Sequence, residues 1–196
     1  MTFVALEGFS GTGKTSLAVR MEEMGWLRLQ ESAHAVNSDI PVADRADTAA
    51  DYSLLGATMT YSSIISKQRW KRNIVSEGYL ISDLAYAKIR MELGKSAAYP
   101  KMFTMVKGIL SEPALRPDLY ILLKAADETI SSRQLVKNER EKNLTEFFRT
   151  RYYTALSEIH QELGEGEVEI VKTESDIDAT LKDIVGIIEK RKVVTA

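Results

Sequence analysis

The chain has 196 residues, of which 44% are hydrophobic, and 28 acidic residues slightly outnumber 26 basic ones to give a net charge of −2. This length suits one α/β domain with a sizeable core, and the charge balance argues against a protein whose main function is to bind a nucleic-acid backbone. The apolar runs are too short to span a bilayer, the N-terminus shows no signal-peptide pattern, and the absence of cysteine excludes disulfides and thiolate metal sites. We therefore expect a cytoplasmic protein with no membrane partner.

The first feature in chain order is a glycine-rich loop between a predicted strand and a predicted helix. An apolar run over 2–7 precedes the segment GFSGTGKT at 8–15, and a helical pattern follows it. The segment fits G-x-x-x-x-G-K-[ST], the phosphate-binding loop. Its glycines allow successive backbone amides to point at one phosphate, and the helix dipole adds to the same site. We predict a nucleoside-triphosphate site formed by Gly8, Ser10, Gly11, Thr12, Gly13, Lys14, Thr15 and Ser16.

Three ionisable or hydroxyl side chains are expected to act beside this loop. In this motif the lysine, here Lys14, reaches the β/γ-phosphates, and the Thr15 hydroxyl binds Mg²⁺. A short apolar strand over 73–76 ends in Glu77, which we expect opposite the loop, where it would hold Mg²⁺ through water or accept a proton. A strand-end acid that merely faces solvent is the alternative for Glu77.

A second strand-end acid is the candidate for the acceptor side of the site. The segment 26–30 alternates like a strand and ends in Glu31. Ligands of open parallel sheets lie at this edge, so Glu31 could contact a phosphoryl acceptor or act as general base for a hydroxyl. A solvated loop acid is an equally good interpretation of Glu31.

The rest of the chain alternates between helices and strands without a repeat or linker. We predict a surface loop over 32–44 and one long helix or a helix pair over about 45–71, whose basic end (67–72) fits a helix C-terminus better than an anion site. His34 and His160 lack ligand-spaced partners, so neither is predicted to bind a metal. The later elements are a helix with Ser82 or Asp83 as N-cap, a helix over 99–110, a strand over 117–123, a helix from about 127 that carries Arg133, a helix with Phe147, Phe148, Tyr152, Leu156 and Ile159 as its apolar face, a strand over 168–171, and a helix over 176–192.

A charged break at 137–143 separates the two helices that follow the fourth strand. Such a segment is where a mobile lid would sit, bringing arginine or lysine over a transferring phosphate. We therefore predict a lid around 134–145, with Arg133 and Arg140 acting from it. A solvated helix hairpin is the alternative on charge alone.

The order of these features resembles the thymidylate kinase branch of the P-loop kinases, which lies close to the deoxynucleoside kinases. Besides the loop, the resemblance rests on Glu31, the run from Glu77-Gly78-Tyr79 to Ala85-Tyr86, the Pro117-Asp118-Leu119 strand, and Arg133 followed by the 146–152 segment. The resemblance implies a single α/β domain (1–196) with a three-layer P-loop fold and a five-stranded parallel sheet in order 2-3-1-4-5. It also implies ATP with Mg²⁺ as cofactors, γ-phosphoryl transfer to a nucleotide, and a homodimer.

The sequence departs from this family's pattern on the acceptor side. Gly78 stands where the family has a phosphate-binding arginine, Glu77 replaces aspartate, Ser32 replaces proline after Glu31, and Ala87 replaces glutamine. No arginine lies between Arg45 and Arg69, where thymidylate kinases place one for the base. A planar arginine fork that grips phosphate or a base edge is hard to replace. The residues expected to bind ATP therefore match the family's pattern, whereas those expected to bind the phosphoryl acceptor differ from it.

Three functions remain open at this point. The preferred one is a nucleoside monophosphate kinase of thymidylate kinase type. The second is a kinase that acts on a hydroxyl of a deoxynucleoside, or of a hydroxymethylated pyrimidine in DNA, so that nucleic acid would enter only as an acceptor. The third is a nucleotide-binding switch or hydrolase, against which the chain shows no Asp-x-x-Gly or Asn-Lys-x-Asp switch motif.

Overall fold

The computed structural model describes residues 1–31, 48–137, 146–165, 168–173 and 176–194. These residues form five strands and seven helices, and, as the sequence predicts, two consecutive helices follow the third strand and two follow the fourth. The strands are β1 (Phe3–Glu7), β2 (Leu27–Leu29), β3 (Ile74–Glu77), β4 (Leu119–Lys124) and β5 (Val168–Lys172). The helices are α1 (Lys14–Glu23), α2 (Thr48–Gln68), α3 (Leu80–Glu92), α4 (Tyr99–Leu110), α5 (Asp127–Lys137), α6 (Glu146–Leu163) and α7 (Ile177–Val194).

The five strands form one parallel sheet in the order β2-β3-β1-β4-β5. This confirms the predicted fold class and strand order. β1 lies in the centre, where Leu6 pairs with Glu77 of β3 and Glu7 pairs with Leu122 of β4. Because all five carboxyl ends meet at one edge, the glycine loop after β1 and the acid that ends β3 come together there.

The two faces of β1 belong to two separate cores. Phe3 and Ala5 pack in a large apolar cluster with α3, α4 and α6, whereas Val4 and Leu6 pack in a second cluster with α1 and α7. Near-continuous apolar runs are typical of parallel strands that are covered on both sides. The result is a three-layer arrangement of helices, sheet and helices.

The α2 helix is continuous from Thr48 to Gln68, and it is tied to α3 by a fully buried ion pair between Asp51 and Arg90. The basic segment after α2 is partly structural, because the buried Arg69 pairs with Asp118 and lies over the Phe3 ring. No helix among the described residues combines the length and apolarity that crossing a membrane requires.

One predicted helix start is wrong. The α3 helix begins at Leu80, and its N-cap position is Tyr79, not Ser82 or Asp83. Both predicted caps are engaged elsewhere, since Ser82 donates a hydrogen bond to Glu7 and Asp83 accepts one from Thr58 at 2.6 Å.

Several sequence predictions fall outside the described residues. These are the loop at 32–44 with His34, the first residues of the 45–71 helix, Arg140, and the 138–145 part of the lid. Residues 134–137 form the end of α5. The apolar face predicted for α6 is confirmed for Phe148, Tyr152, Leu156 and Ile159, which are all buried.

Candidate active site

The glycine loop after β1 takes a conformation that its glycines make possible. Gly8 has φ +152, and a Cβ there would come within 2.7 Å of the Thr12 hydroxyl and 2.9 Å of the Leu123 carbonyl. Gly13 precedes α1 with φ +94, in the left-handed region that residues with a Cβ rarely adopt. The Thr12 hydroxyl donates to the Phe9 carbonyl at 2.8 Å and closes the loop from inside. Thr12 is buried, and its backbone amide also donates to the Phe9 carbonyl, at 3.3 Å, so in this structure the residue supports the loop from within.

Lys14 occupies the centre of this loop. It is the first residue of α1 and is buried, and its ammonium donates to the Gly8 carbonyl at 2.6 Å and approaches the Phe9 carbonyl at 3.4 Å. These carbonyls are uncharged partners, which a triphosphate could replace with stronger, charge-assisted hydrogen bonds. Of the predicted loop residues that follow, Thr15 is half-buried and Ser16 is exposed at the start of α1.

Thr15 and Glu77 form the candidate magnesium site. The Thr15 hydroxyl donates to Glu77 Oε2 at 2.6 Å, which joins the first turn of α1 to the end of β3. Among the described residues, no group of three or more His, Cys, Asp or Glu side chains could hold a metal ion. Mg²⁺ bound to a nucleotide needs only one or two protein oxygens besides phosphate and water, so a hydroxyl beside a carboxylate fits it.

Arg28 is a site residue that the sequence analysis missed. It lies in the middle of β2, and its Nε donates to Glu77 Oε1 at 2.5 Å while its NH1 approaches Glu22 at 3.4 Å. Both oxygens of the Glu77 carboxylate are therefore held, one by Thr15 and the other by Arg28. A charged residue between Leu27 and Leu29 was the available signal, because an isolated charge in a short apolar strand needs a partner.

The structure brings Glu31 to the loop. Its carboxylate lies 3.9 Å from the Lys14 ammonium, and its side chain is 26% exposed. Arg133 of α5 also reaches the loop, where it donates to the Gly11 carbonyl at 3.3 Å and to the Thr173 carbonyl at 2.6 Å. Of the five residues predicted to be catalytic, the structure thus places Lys14, Glu31, Glu77 and Arg133 around one loop, and Arg140 lies outside the described residues.

A narrow cleft that opens to solvent adjoins Glu31 and Glu77. Three carboxylates line it, those of Glu31, Glu77 and Asp83, and no lysine or arginine is among the described residues of its lining. Burial raises the pKa of the Tyr61 and Tyr86 hydroxyls, which therefore stay neutral hydrogen-bonding groups. The full lining is Gln30, Glu31, Leu54, Thr58, Tyr61, Glu77, Gly78, Tyr79, Ser82, Asp83 and Tyr86.

The backbone at position 78 is one that favours glycine. Gly78 has φ +71, and a Cβ there would lie 3.2 Å from the Ser82 hydroxyl. Its amide donates to the Leu6 carbonyl, so the residue is fixed at the junction of β3 and α3. An arginine at this position would be strained whatever its side chain reached.

Known proteins match this chain in structure and not in sequence. No protein-family model matches it, and neither does any curated protein. A thymidylate kinase from Candida albicans superimposes with a TM-score of 0.70 at 18% identity, over 97% of this chain and 92% of that one. A deoxyadenosine kinase from M. mycoides with bound dATP gives 0.68 at 17% identity, over 96% and 100%. A thymidylate kinase from Ehrlichia chaffeensis gives 0.62 at 12%, over 95% and 98%.

The chain has the fold of thymidylate and deoxyadenosine kinases. The match covers nearly the whole of each molecule. At these identities the similarity establishes the fold, and the chemistry must be argued from the site itself.

Proposed function

We propose that this protein is an ATP-dependent kinase that transfers the γ-phosphoryl group to a nucleoside or nucleotide. The observation that carries this proposal is the cluster of Lys14, Thr15 and Glu77 at the mouth of a phosphate loop, directly beside an open cleft. A hydrolase or switch needs no second cleft next to its phosphate site. The fold supports the proposal, because both kinds of neighbour are kinases by description.

Each site residue has a role in this scheme. The loop amides and Lys14 would hold the β- and γ-phosphates and balance the charge that grows as the bond to the γ-phosphorus breaks. Thr15 and Glu77 would hold Mg²⁺, which neutralises phosphate charge when bound. Arg28 keeps the Glu77 carboxylate in place through its hydrogen bond. Arg133, and Arg140 from the lid, would act on the phosphates or on the ATP base.

The acceptor is proposed to present a hydroxyl, as a deoxynucleoside does. The described lining of the cleft carries three carboxylates and no cation. Glu31 has Lys14 as its basic neighbour, and Glu77 has Arg28. Neither base is part of the described lining, which therefore offers no counter-charge of its own to a monophosphate dianion. Glu31, 3.9 Å from Lys14, would accept the hydroxyl proton as the acceptor oxygen bonds to the γ-phosphorus and ADP leaves. This changes the order of the two kinase hypotheses, because the sequence alone favoured a monophosphate.

A nucleoside monophosphate is the second candidate acceptor, and Arg28 is the observation that favours it. Its guanidinium lies next to Glu77 with a side chain that is 14% exposed. Turning from Glu22 towards the cleft would let it meet a phosphate in place of the missing arginine at 78. A homodimer and a cytoplasmic location remain further proposals.

The test is ADP release from MgATP, measured with a coupled assay across a panel of acceptors. The panel contains deoxynucleosides, their monophosphates, and DNA with hydroxymethyluracil. Stimulation by a deoxynucleoside of at least tenfold over the rate with ATP alone is the expected result, with Glu31→Gln losing most of it. Stimulation only by a monophosphate would indicate that Arg28 binds the phosphate of the acceptor, and Arg28→Met should then raise the KM for that acceptor. A rate that no member of the panel changes would favour the hydrolase or switch.

A further inference from the structure

A buried carboxyl group lies under the cleft and has no place in the chemistry described so far. Glu7 ends β1 and is fully buried on the face that packs against α3, α4 and α6. Within the described residues it forms no ion pair. The Ser82 hydroxyl of α3 donates to Glu7 Oε2, and the same hydroxyl lies 2.9 Å from the Tyr152 hydroxyl of α6.

These three side chains join parts of the site that belong to different elements. Glu7 immediately precedes Gly8, whose carbonyl accepts the hydrogen bond from Lys14. Ser82 lines the acceptor cleft. Tyr152 is fully buried, and the Phe9 ring packs against its edge at 5.8 Å between centroids. The network therefore contacts the phosphate loop at one end, the cleft in the middle, and α6 at the other end.

The direction of the hydrogen bonds depends on the charge of Glu7. When Glu7 is ionised it only accepts, so Ser82 donates to it and takes a hydrogen bond from Tyr152. Burial raises the pKa of Glu7 to about 7, against smaller lowering effects of the Ser82 hydrogen bond, Lys14 and the Tyr79 backbone amide. Among the described residues, the titratable groups that interact with Glu7 electrostatically are Lys14 from α1, Asp83 and Tyr86 from α3, Tyr120 from β4, and Tyr152 from α6.

We propose that Glu7, Ser82 and Tyr152 are positioning residues that align the phosphate loop with the acceptor cleft. The proposal rests on the kinase function above, since alignment matters only when two substrates must meet. A buried polar network favours one arrangement of the elements it joins. Here the hydrogen bonds of Glu7 Oε2, Ser82 and Tyr152 join β1, α3 and α6, while the other carboxyl oxygen of Glu7, Oε1, is buried without a hydrogen-bond partner among the described residues. A misplacement of 1 Å between donor and acceptor can lower the rate of group transfer about 100-fold. Residues that fix the loop relative to the cleft can therefore control the rate without touching either substrate.

The first experiment needs no acceptor. MgADP binding to the full chain is measured by calorimetry from pH 6 to 8.5, for the wild type, Glu7→Gln and Glu158→Gln. Glu158 of α6 is a matched control, because its carboxylate pairs with Lys88 and Arg151 outside the network, and the hydrogen bonds from Arg151 and Lys88 lower its pKa to about 2, so that it stays ionised over this range. We expect the wild type to lose affinity relative to Glu7→Gln by about threefold or more as pH rises, because an ionised Glu7 places a negative charge behind the loop. Glu158→Gln should follow the wild type. A constant ratio between wild type and Glu7→Gln at all pH values would overturn the link between Glu7 and the loop.

The second experiment measures alignment, with the acceptor that the panel identifies. Ser82→Ala and Tyr152→Phe should each lower kcat about tenfold and change the KM for ATP by less than threefold, and the double variant should fall no further, since both break one network. Additive losses, or losses that appear in the melting temperature and not in kcat, would mean that the network is only structural. If no acceptor in the panel stimulates ADP release, the kinase proposal fails, while the MgADP experiment still decides whether Glu7 is coupled to the loop.

Discussion

At the scale of single residues, the site depends on charges that are held in place by their neighbours. Lys14 is buried in the loop and bonded to backbone carbonyls, and Glu77 is held by Thr15 and Arg28. Lys14 would exchange its carbonyl partners for phosphate oxygens without leaving the loop, and a charge held close to its working position is the condition for strong electrostatic stabilisation of a transition state.

Replacing Lys14 by alanine should therefore lower kcat by a factor on the order of 10² or more, because the ammonium is the loop's own positive charge at the β/γ-phosphates. The measurement is ADP release with the best acceptor at saturating MgATP. Lys107→Ala, an exposed lysine on α4, is the matched control and should keep wild-type activity. Near-full activity of Lys14→Ala would contradict the role assigned to the loop.

His160 gives a prediction about stability. It is buried in α6 with its ring packed edge-on against Tyr120 at 4.6 Å, and burial lowers its pKa from 6.5 to about 4. Between these values the unfolded chain binds more protons than the folded one, so this residue's contribution to stability is lost as pH falls from about 6.5 to about 4. At pH 5 the loss amounts to ~2 kcal/mol.

A His160→Phe variant should remove this dependence. Urea unfolding at pH 7.5 and pH 5 gives the comparison, and the difference between wild type and variant isolates His160 from Glu7, whose raised pKa acts in the opposite direction over 4.5–7. An equal loss of stability in both proteins on acidification would show that His160 is not responsible.

At the scale of elements, the connection between β3 and α3 is set by one glycine. Gly78 has φ +71 and lies between the acid that ends β3 and the first turn of α3. We expect Gly78→Ala to lower the free energy of unfolding by about 1–2 kcal/mol, because L-residues are strained at positive φ. Gly78→Asn should cost less, since asparagine tolerates this region better. Chemical denaturation of the three proteins makes the comparison, and an alanine variant as stable as the wild type would contradict it. For the same reason Gly78→Arg would not simply restore the family arginine.

The ion pair between α2 and α3 is a second element-scale contact. Asp51 and Arg90 are both fully buried. Asp51→Leu alone should cost about 3–5 kcal/mol, because it leaves the guanidinium in the core without this counter-charge. Asp51→Leu combined with Arg90→Met should be less destabilised than the single variant, since no buried charge is then left. Urea unfolding of both variants tests this, and a double variant worse than the single one would show that Arg90 has a separate structural role.

At the scale of the whole molecule, the sequence allowed the fold and the ATP half of the site to be predicted. A strand, a glycine loop and a helix are adjacent in the chain, so the loop and Lys14 can be recognised locally, and the strand order followed from the resemblance. The acceptor half could not be predicted in the same way. Arg28 and Glu77 lie 49 positions apart and Glu7 and Ser82 lie 75 apart, so their contacts exist only after the sheet and α3 have assembled. The start of α3 was missed for the same reason, because tertiary partners occupy the side chains that would have capped it.

The most direct test of the central claim is to follow the phosphoryl group itself. ATP labelled with ³²P at the γ-phosphate is incubated with the protein, Mg²⁺ and a deoxynucleoside, and the products are separated by chromatography. The account predicts that the label appears in a deoxynucleoside monophosphate, and that Lys14→Ala reduces the amount by on the order of 10². Label recovered only as inorganic phosphate, with every nucleoside and nucleotide offered, would contradict it and make the protein a hydrolase.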